Sequence, residues 1–316
     1  MNPIETHSLT KRYGETTALD SLEMSIENGE VFGFLGPNGS GKSTTIDILL
    51  GFIYPTSGSA SVFGIDPTEN ATAIRQRTGV VPDGYEVMPD WTGRDHVEFE
   101  LDSRNVDDDP DALLDRFGLL EDADRVATGY SRGMRQRLLL SMAAAGEPDL
   151  LLLDEPTTGL DPNGIRLMRE FIRDERARGA TIFFSSHRLA QVESVCDRVG
   201  ILNEGSLLAI DSIDSLRNAV GDNTILQVSV DHVPDDIDSL TTLDGIENLE
   251  VSGTTLRVQC AHGRHLDALN HLDRLGATPQ RFETETASLE DIFSAYTESE
   301  TESSESVVES PVETPL

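Results

Sequence analysis

Nine consecutive residues, Gly36-Pro37-Asn38-Gly39-Ser40-Gly41-Lys42-Ser43-Thr44, carry the densest chemistry in the chain. They fit G-x-x-x-x-G-K-[ST], in which glycines let backbone N–H groups turn inward around a phosphate. A helix that starts where such a loop ends adds the positive end of its dipole. Lys42 can reach the outer phosphate oxygens, and the Ser43 hydroxyl can ligate Mg2+. Lys11 and Lys42 are the only lysines, so one of the two sits in this loop.

Further along, Leu150-Leu151-Leu152-Leu153-Asp154-Glu155 is an apolar run ending in two acids. Alone it would be a strand capped by solvated carboxylates. Downstream of a phosphate loop, Asp154 can offer a hard oxygen to Mg2+ through water. Glu155 can orient and deprotonate an attacking water. His187 follows Thr181-Ile182-Phe183-Phe184-Ser185-Ser186 and so stands just past another apolar run. If that run is a parallel strand, His187 lies at the sheet edge where ligand crevices form.

The elements that must hold these groups are legible in outline. Val31–Leu35 reads as a buried strand after the turn Glu27-Asn28-Gly29, and 44–50 reads as a helix ended by Gly51. Gly79-Val80-Val81 is a short strand closed by Pro82, and the stretch from about Trp91 to Gly146 is helical in pattern. Strands at 150–153 and 181–184, with an Arg-rich helix between them, predict a mainly parallel sheet covered on both faces. Around residue 222 the texture changes to an α+β appendage. Its expected strands are 224–230, 248–252 and 255–259, and its expected helices are 264–275 and 289–296. The sequence from 297 to 316 is low-complexity, with six Glu and no base, and has too little apolar mass to offset its ordering entropy.

Fifty-seven acids stand against 24 bases, a net charge of -33. Such a surface repels phosphate backbones, which argues against nucleic acid as a partner. Depletion of lysine beside the acid excess is what adaptation to molar salt predicts, because a Debye length of about 3 Å screens the self-repulsion. Cys196 and Cys260 have no framework or metal spacing and are expected to be reduced thiols of an intracellular protein. No stretch approaches the roughly 20 apolar residues of a membrane span, and the N-terminus lacks a signal-peptide core.

The order of these motifs resembles an ABC-transporter ATPase over residues 4–215. The feature that separates that family from other phosphate-loop proteins is its signature, and Tyr130-Ser131-Arg132-Gly133-Met134 is similar to the Y-S-x-G-M variant of exporter-type members rather than the commoner L-S-G-G-Q. The resemblance implies several further roles. Ser131 and the Gly133 amide would donate to the γ-phosphate of ATP held by an opposite subunit. Tyr13 matches the aromatic that stacks on adenine, and Asp161 in Gly159-Leu160-Asp161 matches the loop linking two active sites. His187 matches the switch histidine at the γ-phosphate. Asp83 stands where the family usually has Gln and exporter-type members often have an acid, and it joins Ser43 and Asp154 as a metal candidate.

The expected fold is therefore α/β. It comprises a phosphate-loop ATPase core over 1–221, with an antiparallel N-terminal β part and a helical subdomain at about 91–146. A small C-terminal α+β domain over 222–296 and an acidic tail follow. The expected function is ATP hydrolysis, with ATP and Mg2+, by a cytoplasmic subunit lying against the inner face of the cell membrane. Its expected partners are a separate transmembrane permease and a homodimeric or paired ATPase subunit, and its expected origin is a halophilic archaeon. A soluble ABC ATPase acting on nucleic acid or ribosomes is the competing reading. The absence of a long coiled coil between residues 45 and 130, the single cassette and the acidic surface weigh against it. Glu155 and His187 weigh against a regulator that binds ATP without turnover.

Overall fold

The computed structural model describes residues 2–220, 223–261, 263–285, 292–293 and 296–297. The chain divides into two compact units, Met1–Asp211 and Ser212–Leu316.

The first unit opens with two long strands, β1 (Ile4–Tyr13) and β2 (Thr16–Ile26), which pair antiparallel with Tyr13 opposite Thr16 at the tip. The sequence shows alternation clearly only at the end of β2, because Leu19 is the one fully buried side chain of its first half. β3 (Val31–Leu35) is buried throughout and leads into α1 (Lys42–Leu49), with the glycine-rich loop between them. β4 (Ser57–Val62) joins the other edge of β1, and α2 (Pro67–Arg75) follows, capped by the Asp66 side chain. β5 (Thr78–Val81) ends at Pro82.

Three helices then form the segment beyond Trp91, each started by a side-chain cap that accepts a free backbone N–H. Thr92 and Asp95 make a reciprocal capping box on α3 (Gly93–Arg104). Asp109 caps α4 (Pro110–Arg116), and Ser131 caps α5 (Arg132–Ala143). The chain returns to the sheet as β6 (Leu150–Asp154), leaves along α6 (Pro162–Arg178) and returns again as β7 (Thr181–Ser186). The short α7 (Leu189–Val192), β8 (Arg198–Asn203) and β9 (Ser206–Ser212) complete it.

The central sheet has the order β5-β6-β7-β3-β8-β9, and the pairs β5–β6, β6–β7, β7–β3 and β3–β8 are parallel. β3 lies between β7 and β8, so the sheet grows in both directions from it, and its carboxyl end is the position where α/β sheets open a ligand crevice. Under that edge Phe32, Phe34 and Phe183 are fully buried, with the Phe34 and Phe183 ring centroids 5.1 Å apart. Ile4, Leu9, Leu19 and Leu22 of the β1–β2 hairpin and Ile46, Ile48 and Leu49 of α1 share this core. The hairpin and the phosphate loop are thereby built on one hydrophobic floor.

The second unit begins with α8 (Ile213–Val220), ahead of the change of sequence texture near residue 222. β10 (Asn223–Val230), β11 (Ile246–Ser252), β12 (Thr255–Ala261), α9 (His265–Arg274) and β13 (Pro279–Glu285) follow. The four strands form an antiparallel sheet of order β11-β12-β10-β13, whose inner face packs Leu226, Val228, Leu256 and Val258 against Ala268 and Leu272 of α9. β13 is an edge strand of mostly polar sequence, so no alternation announces it. The helix expected over 289–296 falls outside the described residues except at Ile292, Phe293 and Tyr296, and the expected tail falls outside them except at Thr297.

Truncating Phe183 removes a ring that touches both other aromatics under the phosphate loop. Phe183→Ala is expected to lower the unfolding free energy by about 3–5 kcal/mol, read as a lower denaturant midpoint at fixed salt.

Candidate functional site

The loop from Gly36 to Gly41 is shaped by contacts that allow no side chain at two positions. A Cβ on Gly36 would lie 2.3 Å from the Leu202 carbonyl oxygen. Gly41 takes φ +111, and a Cβ there would lie 2.5 Å from the Ala18 carbonyl oxygen. The loop is thus pressed against β8 on one side and β2 on the other. Lys42 opens α1 and is only 6% exposed. Its Nζ donates to the carbonyls of Gly36 at 2.8 Å and Pro37 at 3.0 Å, and it lies 3.9 Å from Glu155 Oε1. Burial pulls the Lys42 ammonium below the ordinary lysine range, while the charges of Glu155, Asp154 and Asp83 pull it back up.

Asp154 ends β6 and Glu155 follows it, and the parallel register sets Asp154 beside Ser185 of β7. The Ser185 hydroxyl donates to Asp154 Oδ1 and accepts from the Glu155 backbone N–H at 3.2 Å. Glu155 takes φ +48, a left-handed conformation that costs an L-residue about 1–2 kcal/mol. The two carboxylate oxygens of Glu155 have different surroundings. Oε1 accepts from the His187 backbone N–H at 2.8 Å and lies 2.8 Å from His187 Nδ1. Oε2 is buried without a hydrogen-bond partner among the described residues. One oxygen is tethered to His187 and the other has no such partner among the described residues.

These groups meet at a cavity of about 240 Å³ lined by Asn38, Gly39, Gly41, Lys42, Ser43, Thr44, Ala18, Asp83, Asp154 and Glu155. Main-chain amides at a helix start, a buried ammonium and three carboxylates are a donor set for a phosphate chain accompanied by a divalent cation. Gly36, Pro37 and Ser40 form the rest of the loop; the Ser40 hydroxyl is buried without a hydrogen-bond partner among the described residues. His187 is held beside the cavity by Glu155.

The other residues singled out from the sequence are not part of the cavity lining. Tyr13 is half exposed at the tip of the β1–β2 hairpin, whose Ala18 reaches the cavity. Ser131 is the N-cap of α5, accepting from the Met134 N–H at 3.2 Å. Asp161 caps α6 by accepting from the Gly164 N–H at 2.8 Å. A Cβ on Gly133 would lie 3.2 Å from the Gly159 carbonyl oxygen, so the start of α5 touches the loop that starts α6.

Two residues with a place in this arrangement were not anticipated. Ser185 braces both acids, and its signal was a pair of hydroxyls ending an otherwise apolar strand. The Arg132 stem lies across Gly159, where a Cβ would meet its Cγ at 2.4 Å. Only the folded loop reveals that contact.

The family model for ABC transporters matches residues 19–158. A Nod factor export ATP-binding protein I of Burkholderia pseudomallei is 35% identical over 297 residues, covering 92% of this chain and 95% of the relative. A bacitracin transport ATP-binding protein of Bacillus licheniformis is 39% identical over 217 residues, covering 68% of this chain and 71% of the relative. A linearmycin resistance ATP-binding protein of Bacillus subtilis is 30% identical over 274 residues, covering 83% and 86%. Among solved structures, an ATP binding subunit of an ABC transporter aligns with a TM-score of 0.64 at 28% identity, covering 68% of this chain and 92% of that one. A dimeric cassette in a post-hydrolysis state bound to ADP and Pi shares the fold, with a TM-score of 0.62 at 23% identity over 66% of this chain and 98% of that one.

Ser185→Ala removes the brace on Asp154 and Glu155 without touching the loop around Lys42. Turnover of nucleotide is expected to fall about 10–100-fold, as for other partners that orient ligating carboxylates. Nucleotide affinity, measured by calorimetry beside a steady-state assay, is expected to hold.

Proposed function

The chain belongs to the ABC transporter family as an ATP-binding, ATP-hydrolysing subunit of the exporter type, and from that premise we propose that two cassettes closing head-to-tail around two ATP drive transport through a separate membrane permease. The observation that carries this reading is the asymmetric Glu155 carboxylate. Oε1 is fixed by His187, and Oε2 is buried, without a hydrogen-bond partner among the described residues. Glu155 takes the proton of the attacking water, while Lys42 balances charge building on the γ-phosphate. His187, anchored to the same carboxylate, contacts that phosphate.

Lys42 alone faces Asp83, Asp154 and Glu155, so a triphosphate entering the cavity brings more negative charge than the chain can balance. This imbalance supports Mg2+ as the companion of ATP, held by the Ser43 hydroxyl and by Asp154 and Asp83 directly or through water. When bound, the ion supplies neutralisation of the phosphate oxygens.

Ser131 and Gly133 are not part of the cavity lining, which supports their acting on the ATP of a second copy or a paired subunit. The charge at their helix supports the same conclusion. Among the described helices of eight residues or more, α1 and α5 have a cation and no acid in the first turn, Lys42 and Arg132 respectively. A cation at the positive end of a helix is unfavourable unless an anion comes there. Asp161, fixed as a cap, holds the 159–161 loop that runs between the two sites. Tyr13 stacks on adenine.

A cleft of about 640 Å³ runs from Ser43, Asp83 and Asp154 past Tyr85 to Glu100 and Met142 of the helical segment, with Phe52 on its rim 61% exposed. It shares three residues with the nucleotide cavity, which supports the transmission of closure to a permease docked there. No helix among the described residues is long and apolar enough to cross a membrane. The working place proposed is the inner membrane face, attached through that permease. The net charge of -33 supports exclusion of nucleic acid and operation in molar salt.

Glu155→Gln is expected to keep ATP affinity, abolish turnover and accumulate a dimer in ATP that gel filtration resolves from the monomer. Unaltered turnover would remove Glu155 as the base. For wild-type protein, the melting temperature is expected to climb between 0.1 and 2 M KCl as the Debye length shrinks from about 10 Å to below about 3 Å. A melting temperature that falls with salt would remove the halophilic reading.

A further inference from the structure

We propose that Lys11 is a positioning residue for nucleotide binding: its ammonium sets the Tyr13 ring in the orientation that stacks on the base of ATP. The inference rests on the reading of Tyr13 as the base-stacking aromatic.

Lys11 and Tyr13 are two residues apart on β1 and therefore project from the same face of the strand. The Lys11 Nζ lies 4.9 Å from the centroid of the Tyr13 ring, within the range of a cation–π contact. The same nitrogen donates to the Tyr54 carbonyl at 2.7 Å. Tyr54 belongs to the connection that follows α1, the helix Lys42 opens. Lys11 thus ties the hairpin tip that carries the aromatic to the chain leaving the phosphate helix.

An exposed tyrosine has rotamer freedom that it must give up on stacking against a ligand. A cation resting on one ring face removes part of that freedom beforehand and leaves the opposite face open. Preorganisation of this kind raises affinity without any new contact to the ligand. Composition points the same way. Twenty-two of the 24 bases are Arg, and the two lysines that remain serve the two ends of one nucleotide, Lys42 the phosphates and Lys11 the ring beneath the base.

The test compares ATP with inorganic tripolyphosphate, which lacks a base. Both are titrated calorimetrically with Mg2+ into the full chain in molar KCl, where long-range charge effects are screened. Lys11→Met is expected to weaken ATP about two- to fivefold, the size of an exposed cation–π contact, and to leave tripolyphosphate unchanged. Lys11→Arg, which keeps a cation able to lie over the ring, is expected to stay within about twofold of wild type. In a Tyr13→Ala background, Lys11→Met is expected to add nothing. Equal loss for both ligands, or a loss additive with Tyr13→Ala, would overturn the inference and make Lys11 a tether or a general charge. Weakening by Tyr13→Ala with none from Lys11→Met would also overturn it while leaving the base-stacking role intact. No effect of Tyr13→Ala would overturn that role and the inference together.

Discussion

The first unit is organised around one buried cation. Lys42 is taken out of water beside Glu155, and its remaining donors are spent on the carbonyls of the loop it closes. A buried ammonium is tolerated only when hydrogen-bonded and near opposite charge. The arrangement therefore dictates where the loop runs and where β6 ends. It also forces the two chain segments that supply cation and carboxylate to stay in register. They are more than 100 residues apart in sequence, and only a sheet with both strands fixed in it can meet that condition.

The sheet meets it through its parallel register and its glycines. Asp154 stands beside Ser185 because β6 and β7 pair without a slip, and the hydroxyl then satisfies both the carboxylate and the backbone that turns after it. Glu155 turns through a left-handed conformation, with one carboxylate oxygen on His187 and the other without a hydrogen-bond partner among the described residues. Gly36 and Gly41 let the loop lie against β8 and β2 at distances that no Cβ would permit. Rigid packing of Phe32, Phe34 and Phe183 below gives these demands a stiff base.

Charge is distributed with the same economy. Many of the arginines pair with acids, as with Arg116 and Arg178 on the buried Glu175. Lys42 at the start of α1 lies 3.9 Å from Glu155, and the Arg132 stem at the start of α5 lies over Gly159.

The sequence determined the chemical inventory by itself. The glycine-rich loop with Lys42 and Ser43, the acid pair 154–155, His187 after an apolar strand and the Ser131 signature are local patterns, legible because each depends on neighbours within a few residues. The parallel α/β core was legible for the same reason, since strands buried on both faces read as continuous apolar runs. Polar elements such as α2 and β13 gave no such period and emerged only with their partners. Tertiary structure alone decided which oxygen of Glu155 is tethered, that Ser185 braces both acids, that Arg132 lies on Gly159 and that Lys11 faces the Tyr13 ring. Those relations depend on distances between side chains whose strands and loops are brought together by the sheet, and a linear pattern carries no distance.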